Sequence, residues 1–279
     1  AVSASGNLVE SLQLGSSLSV TSDAEWSVGS ITADSALTFS NDKDLSIGSL
    51  SLTGNAEMSL GASDITVSVV DPVLISNSII RNGGGSLNFI GGLRLDMGSE
   101  LIGQGQQISG DIAMYGGKLT AEQDTEITGD ISVNRNNTIQ IDPSQTLTYG
   151  GQAIELGAAD ITMQGGGSFV NTETTPIILN DALGNLHLDN VIVSNVSKAA
   201  GGGVPSLISK NDSTVNNLSL TDKLRLSVDS GKTLTVTKPL TVPTQGIALS
   251  GAGTLKLSDN LTLNGDATLA SGSLTVDAK

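Results

Sequence analysis

Residues Leu12 to Ser30 read LQLGSSLSVTSDAEWSVGS, and the nineteen that follow, Ile31 to Ser49, read ITADSALTFSNDKDLSIGS. Laid one over the other, Leu12, Leu18 and Trp26 fall on Ile31, Leu37 and Leu45, each 19 positions on. Every anchor opens a short apolar-polar-apolar triplet. Leu12-Gln13-Leu14, Leu18-Ser19-Val20 and Trp26-Ser27-Val28 recur as Ile31-Thr32-Ala33, Leu37-Thr38-Phe39 and Leu45-Ser46-Ile47. The punctuation repeats as well, Gly29-Ser30 against Gly48-Ser49. Self-similarity at this fixed length is the signature of a solenoid. Alternation with period two puts the outer residues of each triplet on one face of a strand and the middle residue on the other, so the repeats are strands and not helices. Three strands per turn, parted by Gly, Ser, Asn and Asp, predict a coil that turns three corners and returns above its start. The expected fold is all-β, a single-stranded parallel β-helix with about three short strands and about 19 to 21 residues per turn.

The step continues along the chain. Leu93, Ile112 and Ile131 are again 19 apart, Ile108, Ile127 and Leu147 give 19 and 20, and Leu234 to Leu255 and Leu240 to Leu261 are both 21. At about 20 residues per turn the chain makes roughly fourteen turns, and stacked about 4.8 Å apart they form a rod on the order of 65 Å long. One continuous solenoid is expected over 1–279, with regular turns over about 8–68 and 86–149, irregular turns with longer loops over about 150–217, and regular turns again over about 218–279. In the irregular stretch Leu186-His187-Leu188 and Val191-Ile192-Val193 still read as strands, while Gly165-Gly166-Gly167 and Ala199 to Pro205 read as loops. Loops on such a scaffold are where binding is expected.

Aromatic residues are 2% of the chain and glycines number 34, which suits a narrow coil filled by stacked aliphatic side chains. Cysteine is absent, which excludes a disulfide framework and thiol chemistry. A net charge of −15 argues against nucleic acid as a partner, because phosphate contacts need clustered Lys and Arg. No apolar run approaches the length of a membrane span; Val67 to Ile80 is interrupted by Asp71, Pro72 and Asn77. Ala1 to Ser5 lacks the basic start and apolar run of a secretory signal, and the strand pattern continues almost to Lys279, so the chain is expected to be a mature piece of a longer protein.

The residues give little material for catalysis. The one histidine, His187, sits in the middle of a triplet and should point outward, and no serine stands in a nucleophile-elbow sequence. Glu122, Asp124 and Glu126 would share one face if extended, the arrangement a carboxylate pair for glycoside chemistry would need, although a solvated edge explains them as well. Asn77 reads either as an inward-turned corner amide or as a loop residue. Aligning the first turns also sets Asp23 under Asp42 and makes a column of Glu25, Asp44 and Asp64 with steps of 19 and 20. Such a column could hold calcium through several carboxylate oxygens, or stand as an exposed ladder relieved by Lys43. Beyond calcium no cofactor is expected. The outward positions Gln13, Thr32 and Ser51, Ser19 and Thr38, and Ser27, Ser46 and Thr66 are mostly small hydroxyls, without the strict grid of an ice-binding face.

The closing segment SGAGTLKLSDNLTLNGDATLASGSLTVDAK, Ser250 to Lys279, and the early turns ALTFSNDKDLSIGSLSLTGNAEMSL, Ala36 to Leu60, resemble the strand repeats of autotransporter passenger domains and filamentous-haemagglutinin-like adhesins of Gram-negative bacteria. The resemblance covers most of the chain in texture, through degenerate glycine-spaced triplets. It implies a right-handed β-helix exported to the outer surface of the cell, and it carries over no functional residue. The expected function is that of a structural or adhesive rod segment of a large secreted surface protein, without enzymatic activity. Its expected partner is a host-cell or surface receptor, or neighbouring domains of its own chain. The alternatives are a polysaccharide-processing β-helix enzyme such as a lyase, glycosidase or phage tailspike, which would want a cleft with aromatics for stacking, and an ice-binding or S-layer-like lattice protein.

Overall fold

The computed structural model describes residues 9–15, 17–20, 26–39, 43–60 and 66–277. The chain divides into two compact units, Ala1–Ser132 and Val133–Lys279. Each is a parallel β-solenoid, with no helix among the described residues.

In the first unit one face is a sheet of six strands stacked in chain order, Leu18–Val20, Leu37–Phe39, Glu57–Leu60, Ile79–Arg81, Glu100–Gly103 and Lys118–Ala121. Leu18 lies against Leu37, Leu37 against Met58, Met58 against Ile80, Ile80 against Leu101 and Leu101 against Leu119, so the step from turn to turn is uneven. The other two strands of a turn are joined early on. Trp26–Ala33 and Leu45–Leu52 each carry two triplets in one eight-residue strand. One turn later the same two segments are separate, Thr66–Val69 and Val73–Ile75, with Val70-Asp71-Pro72 making the corner between them. The early bends are possible because of glycine: a Cβ on Gly29 would lie 2.5 Å from the carbonyl oxygen of Glu10, and one on Gly48 would strike the carbonyl of Gly29.

The second unit likewise stacks seven strands on one face, Asn137–Ile141, Ile161–Gln164, Asn185–Asp189, Ser206–Ser209, Leu224–Val228, Ile247–Ser250 and Ala267–Leu269. Its turns are less even still. Asn137 pairs with Ile161 and Ile161 with Leu186, steps of 24 and 25, whereas Ser206 to Arg225 is 19. Turn length therefore varies more widely than the sequence repeat predicts. Strand register is pinned by hydrogen bonds and by which side chains face inward, while corners accept extra residues.

The core is mainly aliphatic, with Phe39, Phe89, Tyr149 and Phe169 also buried in it. Leu37, Leu45, Ile47, Leu50 and Leu52 are all buried, as the triplets require, and each such side chain gains about 1.5–3 kcal/mol by leaving water. Leu12 is only half-buried, since its strand Val9–Leu14 has a neighbour on one side alone among the described residues. The side chains of Leu18 and Trp26 lie outside the described ones; their backbones pair with Leu37 and Leu45 as the repeat predicts. The last turn shows the same edge effect as Leu12. Val242, Leu249 and Leu257 are buried, but their in-register successors Leu263, Leu269 and Val276 are 54%, 49% and 39% exposed. No helix among the described residues is long and apolar enough to cross a membrane.

Candidate functional site

Of the acidic column, Glu25 and Asp64 lie outside the described residues, as do Asp23 and Asp42. Asp44 is exposed, and its Oδ1 accepts a hydrogen bond of 2.8 Å from the backbone N–H of Thr66. Leu45 lies against Val67 at this turn, so Thr66 and not Asp64 is the residue in register with Asp44. The same shift puts Ser68, rather than Thr66, above Ser46 in the outward hydroxyl column. Asp44 has counterparts elsewhere: Asp111 accepts from the N–H of Asp130 at 3.0 Å, Asp160 from Asn185 at 2.8 Å and Asp212 from Thr233 at 2.7 Å. Each carboxylate thus receives a backbone donor of the next turn where the ladder is interrupted at a corner, which is reason enough for an acidic residue there.

Glu122, Asp124 and Glu126 do not share a strand face. Glu122 and Asp124 sit in the bend between Lys118–Ala121 and Thr125–Ile127, and Thr125 turns inward between them and Glu126. Glu122 receives Arg81 Nη1 at 2.8 Å and Gln104 Nε2 at 2.6 Å, while Glu126 receives Gln107 Nε2 at 3.2 Å. Arg81 also reaches Glu57, at 3.3 Å. Partial burial disfavours the charge of Arg81, but Glu122 and Glu57 outweigh it and raise the pKa of the guanidinium above its ordinary value. This is a ladder of charges tying strands together, with its central cation already shared between two carboxylates.

His187 projects from the outer face of Asn185–Asp189, flanked in register by Thr162 and Ile208. Its ring is half-buried, with Nε2 3.6 Å from Asp160 Oδ2 and with Nδ1 buried and unpaired. Asn77 is exposed, with a left-handed φ of 50°, so the inward-turned reading fails for it. The buried corner amides among the described residues are Asn82, Asn137, Asn171 and Asn195. Asn82 donates to the Gly105 carbonyl at 2.7 Å and accepts from the N–H of Gln104 at 2.6 Å. Asn171 accepts from the N–H of Asn195 at 2.8 Å and donates to the carbonyls of Asn195 and Thr175 at 3.0 and 2.9 Å. Nothing in the triplet pattern singles these out, because an asparagine beside a strand reads equally as a turn residue. Lys198 was also hidden: it takes an interior position between Leu179 and Leu220, where its ammonium is held by the carbonyls of Ala199 and Gly201.

A broad concavity lies in the second unit. Gln140, Gln164 and Asp189 lie in register at or next to the ends of three successive strands, and Asn211 follows the fourth, Ser206–Ser209. With Gly165, Asn190 and Asp212 they line an open cleft of about 570 Å³. Gly165, Gly166 and Asn190 all have left-handed φ, at 114°, 93° and 55°, so the corner backbone curls away from the strand ends and two of its three residues bring no side chain to fill the space. Within the cleft Gln164 Nε2 donates to Gln140 Oε1 at 3.4 Å, Gln140 Nε2 to Asp142 Oδ1 at 3.2 Å, and Asn211 Nδ2 to Asp189 Oδ1 at 2.6 Å. A second hollow of about 220 Å³ adjoins it through Asn190 and Asp212 and is floored by Val191, Ile192 and Thr214. No group of three or more His, Cys, Asp or Glu placed to hold a metal ion occurs among the described residues. No family model, curated protein or solved structure matches this chain.

Proposed function

We propose that the chain is a structural and adhesive segment of a large secreted bacterial surface protein, whose solenoid coils carry binding elements for a host-cell or surface receptor and act without catalysis. One observation carries this reading: the described coils repeat an aliphatic interior and a small, polar exterior, so residues can be added at the corners without disturbing the strands. The lengthened turns from Asn137 to Ile161 and from Ile161 to Leu186 are additions of that kind. The acidic balance, −15 overall, suits a solvated outer surface and disfavours nucleic acid. The direct test is protease and antibody access to the full-length protein on intact cells that produce it, together with attachment of those cells to host cells. Surface access and attachment lost on deleting this segment are the expected results. Retention inside the cell would refute the reading, and release of reducing ends or unsaturated products from polysaccharides by the purified chain would move it among the enzymes.

A further inference from the structure

We infer that the cleft between Gln140 and Asp212 is a binding site for an extended, uncharged, hydroxyl-rich chain, that is, a neutral glycan lying along the stack of turns. The inference rests on the display reading above and gives it a ligand class.

The geometry comes first. Gln140, Gln164 and Asp189 stand in register on three successive turns, about 4.8 Å apart, and Asn211 lies one residue past that register on the fourth. That repeat is close to the advance per residue of an extended hexose chain, so one sugar could face each turn. The chemistry agrees with the spacing. Side-chain amides and carboxylates pair with vicinal hydroxyls by giving and taking hydrogen bonds side by side. Asp189 Oδ2 and Gln164 Oε1 receive no hydrogen bond from the described residues, and Gln164 and Asn211 each spend one N–H of two inside the cleft. Half of the recognition capacity is therefore used to fix the side chains and half is left facing solvent. The adjoining hollow offers the side chain of Ile192, which is 41% exposed, to the C–H face of a ring.

Charge narrows the class. Asp189 and Asp212 line the cleft, Asp142 stands beside Gln140, and no Lys or Arg is among the lining residues. An anionic polysaccharide would meet more carboxylates than cations here, Lys210 beside Asn211 being the adjacent basic residue, whereas a neutral one carries no charge to repel. A cationic peptide would satisfy the charge, but Asp189 and Asp212 each already have one oxygen committed, to Asn211 and to the N–H of Thr233. The remaining lining is amide, which a cation does not need.

Calorimetric titration of the whole chain with β-1,4-linked hexasaccharides of glucose, mannose and N-acetylglucosamine, with oligogalacturonate and with hexalysine is the test. A neutral hexasaccharide should bind and oligogalacturonate should not. The double variant Gln140→Ala and Gln164→Ala should weaken that binding roughly tenfold or more, since about two hydrogen bonds are lost, with an unchanged melting temperature. Asp189→Asn should weaken it less and should not admit hexalysine. Absence of binding by all three neutral probes, equal binding by the double variant, or preference for hexalysine would each overturn the inference. Surface access on intact cells does not depend on these variants, so the display reading and the glycan reading can fail separately.

Discussion

The turns from Leu18 to Leu60 and those from Asn137 to Asp189 solve the same problem with different amounts of chain. Leu18, Leu37 and Met58 mark steps of 19 and 21 in the first, and Asn137, Ile161 and Leu186 mark 24 and 25 in the second. Their strands are alike, alternating buried and outward positions, as in Leu37–Phe39 and Asn185–Asp189. All the surplus goes to the corners, because a residue inserted in a strand would turn every following side chain to the wrong face. The outward partners differ accordingly: Thr38 meets Ser59 at 3.2 Å in the tight turns, whereas Gln140, Gln164 and Asp189 line a cleft in the loose ones. Extra corner length is what makes room for the cleft.

If the strands really are equivalent, an interior leucine should matter equally in either region, and only neighbours on both sides should decide its weight. Leu45→Asp places an unpaired carboxylate in a fully apolar stack and should cost about 4 kcal/mol or more, seen as a large fall in the denaturation midpoint. Leu249→Asp should behave the same way. Leu269→Asp, one turn on and in register with Leu249 but 49% exposed, should change stability little. Equal loss at Leu249 and Leu269 would mean that burial by the next turn is not what stabilises these positions.

The loose turns also depend on interior amides, which the tight ones lack among the described residues. Asn171 satisfies one donor and two acceptors of the backbone, those of Asn195 and Thr175. Asn171→Ala leaves them unpaired in a buried corner, and a loss of about 2–4 kcal/mol is expected from denaturant titration. Asn171→Asp keeps the acceptor but turns a buried carboxylate oxygen towards two carbonyls, so it should cost at least as much as Asn171→Ala. An unaffected Asn171→Ala variant would show that water replaces the amide there.

These contrasts also mark how far the sequence could be read. Leu12 on Ile31, Leu18 on Leu37, Trp26 on Leu45, Leu93 on Ile112 and Leu234 on Leu255 are all in the register that simple counting predicts. Counting works there because an aliphatic stack has only one way to keep its period. It fails at Asp64 and Thr66, where a corner longer than the count assumed moves the alignment, and corners have no periodicity to reveal this. The cleft was legible only as a loss of regularity near Gly165 and Ala199, since its lining residues come from turns whose mutual register depends on those same corners. Lys198 was illegible for a different reason. A lysine in a strand reads as outward, and the carbonyls of Ala199 and Gly201, with the charge of Asp222 nearby, make its interior position tolerable.

A smaller effect distinguishes the two roles available to Asp44. As an acceptor for the N–H of Thr66 it needs an oxygen and not a charge, so Asp44→Asn should be close to neutral and Asp44→Ala should cost about 1 kcal/mol or less. Millimolar calcium should leave the melting temperature of all three proteins unchanged beyond what sodium chloride does by screening. A calcium-specific rise that survives high salt and disappears in Asp44→Asn would make this corner a metal site, through preferential binding to the folded state.

The smallest expected effect is on the surface of the second unit, where Lys238 Nζ lies 2.7 Å from Glu173 Oε1 with both side chains more than half exposed. The hydrogen bond and charge of Lys238 lower the pKa of Glu173 below its ordinary 4.5. The folded state therefore binds fewer protons than the unfolded one near that pH, and stability rises with pH across the window. The contribution is complete above 4.5 and is lost as pH falls through the lower, folded value. Glu173→Gln should flatten this slope slightly without altering stability near neutrality by more than the small amount typical of exposed pairs, and added salt should reduce the difference further. An ion pair that joins a corner loop at Glu173 to a residue 65 positions along the chain nonetheless constrains that loop. Faster proteolytic cleavage between Asn171 and Pro176 in Glu173→Gln than in Asp44→Asn is the more sensitive readout, and equal rates would show that the pair restrains nothing.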